Sequence, residues 1–326
     1  MKRQTSIMGV LAVLLGTLPA SPARASDRST VIKGIDIVGV PSAQVSDLLR
    51  VLGLKEGMQV PYIRLSEAVV QPAEARLAGT GRFREVSVRP TTFIGGDEDG
   101  ATYLSISVID RSVEIRSKPR FQGHRELPKP VQAFFSERVR GLGAFRETLL
   151  PSDRDRLEGL AEAHAAELEA ALREAADPMI RSRAAQTMGF HPDARHARRL
   201  LQEALLDPDS GMRRDVARAL QPLVERQIGR EPIPLEPFLA LIRFPEPADR
   251  MNATSMLLTI ARQREGRDRL FREAGAPLLA MARLKHPGER ALALEALQAL
   301  SQAPAPESWE RYREIWEKAT AQRFSP

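Results

Sequence analysis

The apolar positions of this chain repeat with one period up to about residue 110 and with another from residue 127 onward. In VIKGIDIV (31–38), Val31, Ile35 and Ile37 alternate with polar or small neighbours, the pattern of a half-buried strand. Gly39-Val40-Pro41-Ser42 breaks it, and Ser42 is placed to cap a helix burying Val45, Leu48, Leu49 and Leu52. Gly53 ends that helix and Gly57 supplies a second turn. A further helix from Ser66 carries Val69, Val70, Ala73, Leu77 and Ala78 on one side, with Pro72 predicting a kink or a late start. Phe83, Val86 and Val88 then read as a strand, irregular between 83 and 86. After a polar loop at 95–100, Tyr103, Leu104, Ile106 and Val108 alternate with Ser105 and Ser107 in a return strand. The predicted order is strand, helix, helix, strand, strand: a three-stranded sheet with two helices on one face. Gly79-Thr80-Gly81 therefore leave a helix and enter a strand. A phosphate loop needs the reverse order, so these glycines serve the turn.

From Leu127 the period becomes helical and strands vanish. Ser152 is placed to cap a long helix with the stripe Leu157, Ala161, His164, Leu168 and Leu172, ending before Asp177-Pro178. The segments IRSRAAQTM (180–188), MRRDVARAL (212–220), DRMNATSML (249–257) and ERALALEAL (289–297) resemble one another. Arg181, Arg213, Arg250 and Arg290 hold equivalent places in them, and an apolar residue follows each by seven positions. Asp177-Pro178, Asp207-Pro208, Glu246-Pro247 and His286-Pro287 mark the loops, and Pro222 falls within a helix. Units of this length with two helices each predict an all-α solenoid, and the recurrent arginines are read as structural.

The ends refine this picture. Lys2 and Arg3, an apolar run from Ile7 to Leu18, and Ala23-Arg24-Ala25 before Ser26 predict a secretory signal peptide over 1–25. A retained anchor is the other reading; no cysteine stands in a lipobox position. The predicted organisation is then 26–110 as an α+β domain, 111–126 as a connector, and 127–326 as a helical repeat domain. Glu307–Phe324 forms an amphipathic helix with Trp309, Tyr312 and Trp316, suited to cap the array. The chain has no cysteine, which removes disulfides, thiol catalysis and cysteine metal sites. Its 48 basic residues, less Lys2, Arg3 and Arg24, leave 45 against 42 acidic ones. A net +3 of interspersed sign, without aromatic platforms, argues against a nucleic-acid partner.

At residues 31–110, IDIVG, the leucine stripe, LKEGM, RLAGTGRFREVSV and YLSISVID together resemble a POTRA domain, the polypeptide-transport-associated module. The resemblance is most specific at Gly57, Leu77, Gly81, Phe83, Val86 and Val88; Pro72 departs from it. It implies a periplasmic module that binds extended polypeptide at a free sheet edge, for which Arg84, Glu85, Val86, Ser87, Val88 and Arg89 are the candidate strand. A proline at Ser87 is expected to remove an edge amide. Residues 150–302 are similar to HEAT repeats, which offer a curved groove to protein partners.

His191 and His196 are five apart, unsuited to joint metal ligation on a helix, and HPDA reads as a loop and first turn. Asp97, Glu98 and Asp99 lack the spacing of a calcium loop. No catalytic motif is present, and no cofactor or metal is expected. The expectation is a non-enzymatic, periplasmic scaffold or accessory factor, peripheral to the outer membrane. Its partners are other envelope proteins or extended polypeptide, with no membrane span after signal cleavage. A purely structural, self-assembling envelope protein is the alternative, with an enzyme third.

Overall fold

The computed structural model describes residues 29–93, 98–111, 121, 123–139, 150–227, 233–262, 267–301 and 309–321. The expected signal peptide, Asp97 and most of the expected connector lie outside the described residues.

Strand β1 (Ser29–Val38) leads through a short turn into helix α1 (Val45–Leu52). Gly53 ends α1 in the left-handed region, at φ 65°. The chain then forms a short strand, β2 (Gln59–Pro61), pairing antiparallel with β1 from Ser29↔Pro61 to Val31↔Gln59. Helix α2 (Gln71–Gly79) follows a π-helical turn over Ser66–Val70, so Ser66 does not cap it, and Pro72 sits in its first turn. Strands β3 (Phe83–Thr92) and β4 (Ala101–Asp110) form a hairpin. The sheet order is β2-β1-β4-β3, with β1 and β4 parallel. The expected three-stranded sheet is thus four-stranded. In Gln59-Val60-Pro61 only Val60 is buried, too few positions to show a period of two.

One face of this sheet carries Ile35, Ile37, Val88, Leu104, Ile106 and Val108 against Leu48 and Leu52 of α1 and Ala73 and Leu77 of α2. Thr80 closes the last turn of α2, and Gly81 takes φ 66° immediately before β3. The other face differs from the alternation read in sequence. Strand β4 is buried from Ala101 to Ile109, the serines included, because the helical region covers that face.

That region runs α3 (Lys129–Val139), α4 (Pro151–Ala163), α5 (Ala165–Glu174), α6 (Pro178–Met188), α7 (Ala194–Ala204), α8 (Ser210–Gln227), α9 (Glu236–Leu241), α10 (Pro247–Ala261), α11 (Arg267–Ala282), α12 (Pro287–Ser301) and α13 (Trp309–Ala321). Helices α6, α8, α10 and α12 stack side by side in one layer, and α5, α7, α9 and α11 back them in a second. The long helix expected from Ser152 is two: it begins at Pro151, where Asp153 accepts from the Leu150 N–H (2.9 Å). It breaks at His164, whose backbone leaves helical values (φ −122°, ψ 23°). The break turns Leu168 and Leu172 of α5 toward α6. Helix α13 packs on α11 and α12, with Trp316 lying directly over Gly275.

Two substitutions check this packing by thermal unfolding. Gly81→Val forces a β-branched residue to positive φ in open space, and is expected to cost about 1–2 kcal/mol. At Gly34 a Cβ would stand 2.7 Å from the Tyr103 ring and 2.8 Å from Lys285 Cβ. Gly34→Ala is therefore expected to loosen the sheet from the array, read as faster proteolysis between the two.

Candidate functional site

The first turns of α6, α8 and α10 present Arg181, Arg213 and Arg250, each buried to 5% exposure or less. A buried guanidinium must find acceptors for its hydrogens, and each finds them in the same places. Arg181 donates to the carbonyls of Ala175 and Ala176 in the loop before its own helix, and to both carboxylate oxygens of Asp207 at 2.8 Å. Arg213 takes the carbonyls of Asp207 and Pro208 and grips Asp249 Oδ2 at 2.6 and 2.9 Å. Arg250 donates to the Pro245 carbonyl and, through Nε, to Glu289 Oε2 at 2.9 Å, while its Nη2 stands 2.8 Å from the same oxygen as an ion-pair contact without a hydrogen bond. Each arginine thus staples its own loop and reaches to the acid of the following repeat. Phe121 and Phe244 lie under Arg181 and Arg213 at 4.3 and 4.6 Å, adding cation–π contacts. Burial pushes the Asp249 carboxyl above its ordinary range, against the pull of Arg213.

Arg290 does not join this ladder. It is exposed, outside the buried pairs. The ladder ends with Glu289, one residue earlier. The acids were missed in sequence, although Asp249-Arg250 and Glu289-Arg290 carried a signal for two of the rungs, the residue before the repeat arginine pairing with the previous one; Asp207, in the loop six residues before Arg213, does not follow that rule.

The last rung is also where the sheet docks. The Pro245 carbonyl that takes Arg250 accepts the Ser107 hydroxyl as well, and Glu289 Oε1 accepts from Ser105 at 3.5 Å. Asp36, an acid within the apolar β1, accepts the N–H groups of Lys285 and His286, both at 2.8 Å, ahead of α12. The His286 ring lies 6.0 Å from both Phe93 and Tyr103.

Beside this contact, β3 is an edge strand. A cleft of about 470 Å³ lies between β3, with Ser107 and Ile109 of β4 behind it, and Pro208, Phe244, Pro245 and Glu246 of the array. Arg84 and Glu85 lie exposed on its rim, and Arg89 faces Glu246 at 3.7 Å. Ser87 Oγ is buried without a hydrogen-bond partner. Val86 and Val88 point away from the array into the sheet's core. The Val88 N–H donates to Glu74 Oε1 at 2.9 Å, so even-numbered residues turn their main-chain groups outward and Ser87 turns its N–H to β4. A proline at Ser87 would break the ladder, and Val86 is the position at which it would remove an edge amide.

Elsewhere, Asp193 caps α7 by accepting the Arg195 and His196 N–H groups at 3.0 Å, which holds its carboxyl below the usual range. The His191 and His196 rings lie 5.7 Å apart with their planes inclined by 60°, and His196 pairs with Glu169 at 3.2 Å. Glu98 is held below its ordinary range by Lys33 and also accepts the Tyr103 hydroxyl. Among the described residues, no group of three acids or histidines is placed to hold a metal, and no helix is long and apolar enough to cross a membrane.

No protein-family model matches this chain, and no curated protein does. Among solved structures, an engineered protein from the Northeast Structural Genomics Consortium aligns at 15% identity and a TM-score of 0.36. That alignment covers 60% of this chain and 87% of the other, an overlap too weak to bear on fold or function.

Removing one member of a buried ion pair strands the other. Asp207→Ala, which orphans Arg181, is expected to destabilise the protein by about 3–5 kcal/mol, measured as a shift in urea midpoint. Arg290→Ala is expected to shift it by less than about 0.5 kcal/mol.

Proposed function

We propose that this protein is an exported, non-enzymatic scaffold of the cell envelope that holds extended polypeptide between the β3 edge and the helical array. The observation that carries this reading is the composite cleft: the rim of an edge strand facing a wall of repeat loops. An edge strand binds main chain with little demand on sequence, and a second wall adds contacts to side chains. The POTRA-like pattern at 31–110 and the HEAT-like pattern at 150–302 support the same use, as does the leader-like segment 1–25 for export to the periplasm.

The test places a photo-crosslinking amino acid at Arg84 or Arg89 on the cleft rim, or at Glu158 on the exposed side of α4, in the producing cells. Envelope polypeptides are expected as adducts from the two rim positions and not from Glu158. Equal labelling at all three, or no envelope adduct, overturns the assignment. Adducts only between copies of the chain would favour self-assembly.

A further inference from the structure

The free edge of β3 is interrupted at its middle. The Phe93 N–H donates to Ala101 O across the hairpin (2.9 Å), and the Val88 N–H points the other way, to Glu74. Both fix the same alternation, so residues 86, 88, 90 and 92 offer their main-chain groups outward. Pro90 has no N–H to give. The register slips between Phe83 and Glu85, which bends the strand at its start. The Val88 N–H is occupied. Between the bend and Pro90, what remains for an incoming strand is the Val86 N–H with the carbonyls of Val86 and Val88, beside the buried Ser87 hydroxyl; the Thr92 N–H faces outward only beyond that gap.

We propose that Glu74 is a built-in competitor for the polypeptide: its carboxylate oxygen stands where a bound strand would place a carbonyl, and a partner must displace it. This rests on the function proposed above and adds what selects the partner. A window this short gives few main-chain bonds, so a segment is held only if its side chains also engage the cleft wall. Indiscriminate pairing with any exposed strand is suppressed. Glu74 is a specificity-determining residue in this scheme.

Two variants separate the cap from the helix that carries it. Glu74 is half-buried on α2 and outside the apolar core. Glu74→Gln keeps an oxygen that can accept from Val88; Glu74→Ala does not. Amide exchange at Val88 is expected to be slow in the parent and in Glu74→Gln, and fast in Glu74→Ala. A fluorescein-labelled peptide of alternating valine and threonine, flanked by lysines, is expected to bind Glu74→Ala about fivefold more tightly than the parent, the worth of one net hydrogen bond. Adding Val86→Pro to Glu74→Ala should abolish that gain. Equal affinity of parent and Glu74→Ala, absence of peptide binding to Glu74→Ala, or unchanged Val88 exchange overturns the proposal. A gate that operates on the peptide while the rim crosslinks capture no envelope protein in cells would instead sink the broader function and leave the gate standing.

Discussion

A guanidinium taken out of water must keep its hydrogen bonds, and this requirement organises the array. Arg181, Arg213 and Arg250 each have one side committed to loop carbonyls and the other to a carboxylate one repeat further on. Apolar packing alone lets stacked helix pairs slide or rotate with modest cost; fixed donors in a rigid fork do not. Whether such pairs add net stability against an apolar substitute is a separate matter, since desolvation offsets much of the attraction.

The sheet docks on the same ladder. Its polar face does not meet water but meets acceptors already held in place by the ladder: Ser107 shares the Pro245 carbonyl with Arg250, and Ser105 shares Glu289 with it. Asp36 adds two bonds to the amides before α12. The orientation of the β3 edge relative to the repeat loops follows from these contacts. A cleft whose walls come from separate parts of the chain keeps its width only because the polar face is pinned.

Much of this was legible from pattern. The element order to residue 110 apart from β2, the exit turn at Gly79-Thr80-Gly81 and the irregular entry to β3 follow from local chemistry, which the sequence states directly. The change to stacked helices after residue 127 follows from a period. The losses have physical causes. Strand β2 is too short to show alternation. His164 interrupts a helix with no glycine or proline at the break, and an apolar stripe continues across it. Ser105 and Ser107 read as solvent-facing because a period of two reports which side a residue is on, not what lies against that side. The cleft joins residues near 87 with residues near 245, a proximity that no local window carries.

An array of repeats ordinarily needs only its neighbours, so that any part can fold as it emerges. Here the strand that holds Asp36 closes on Lys285, and the one that holds Ser105 closes on Glu289. During synthesis from the amino end, the first domain has its apolar side assembled long before its second side has anything to meet. The polar character of that second side has a use at this stage: serines and an aspartate can wait in water without attracting other chains, as a row of valines could not.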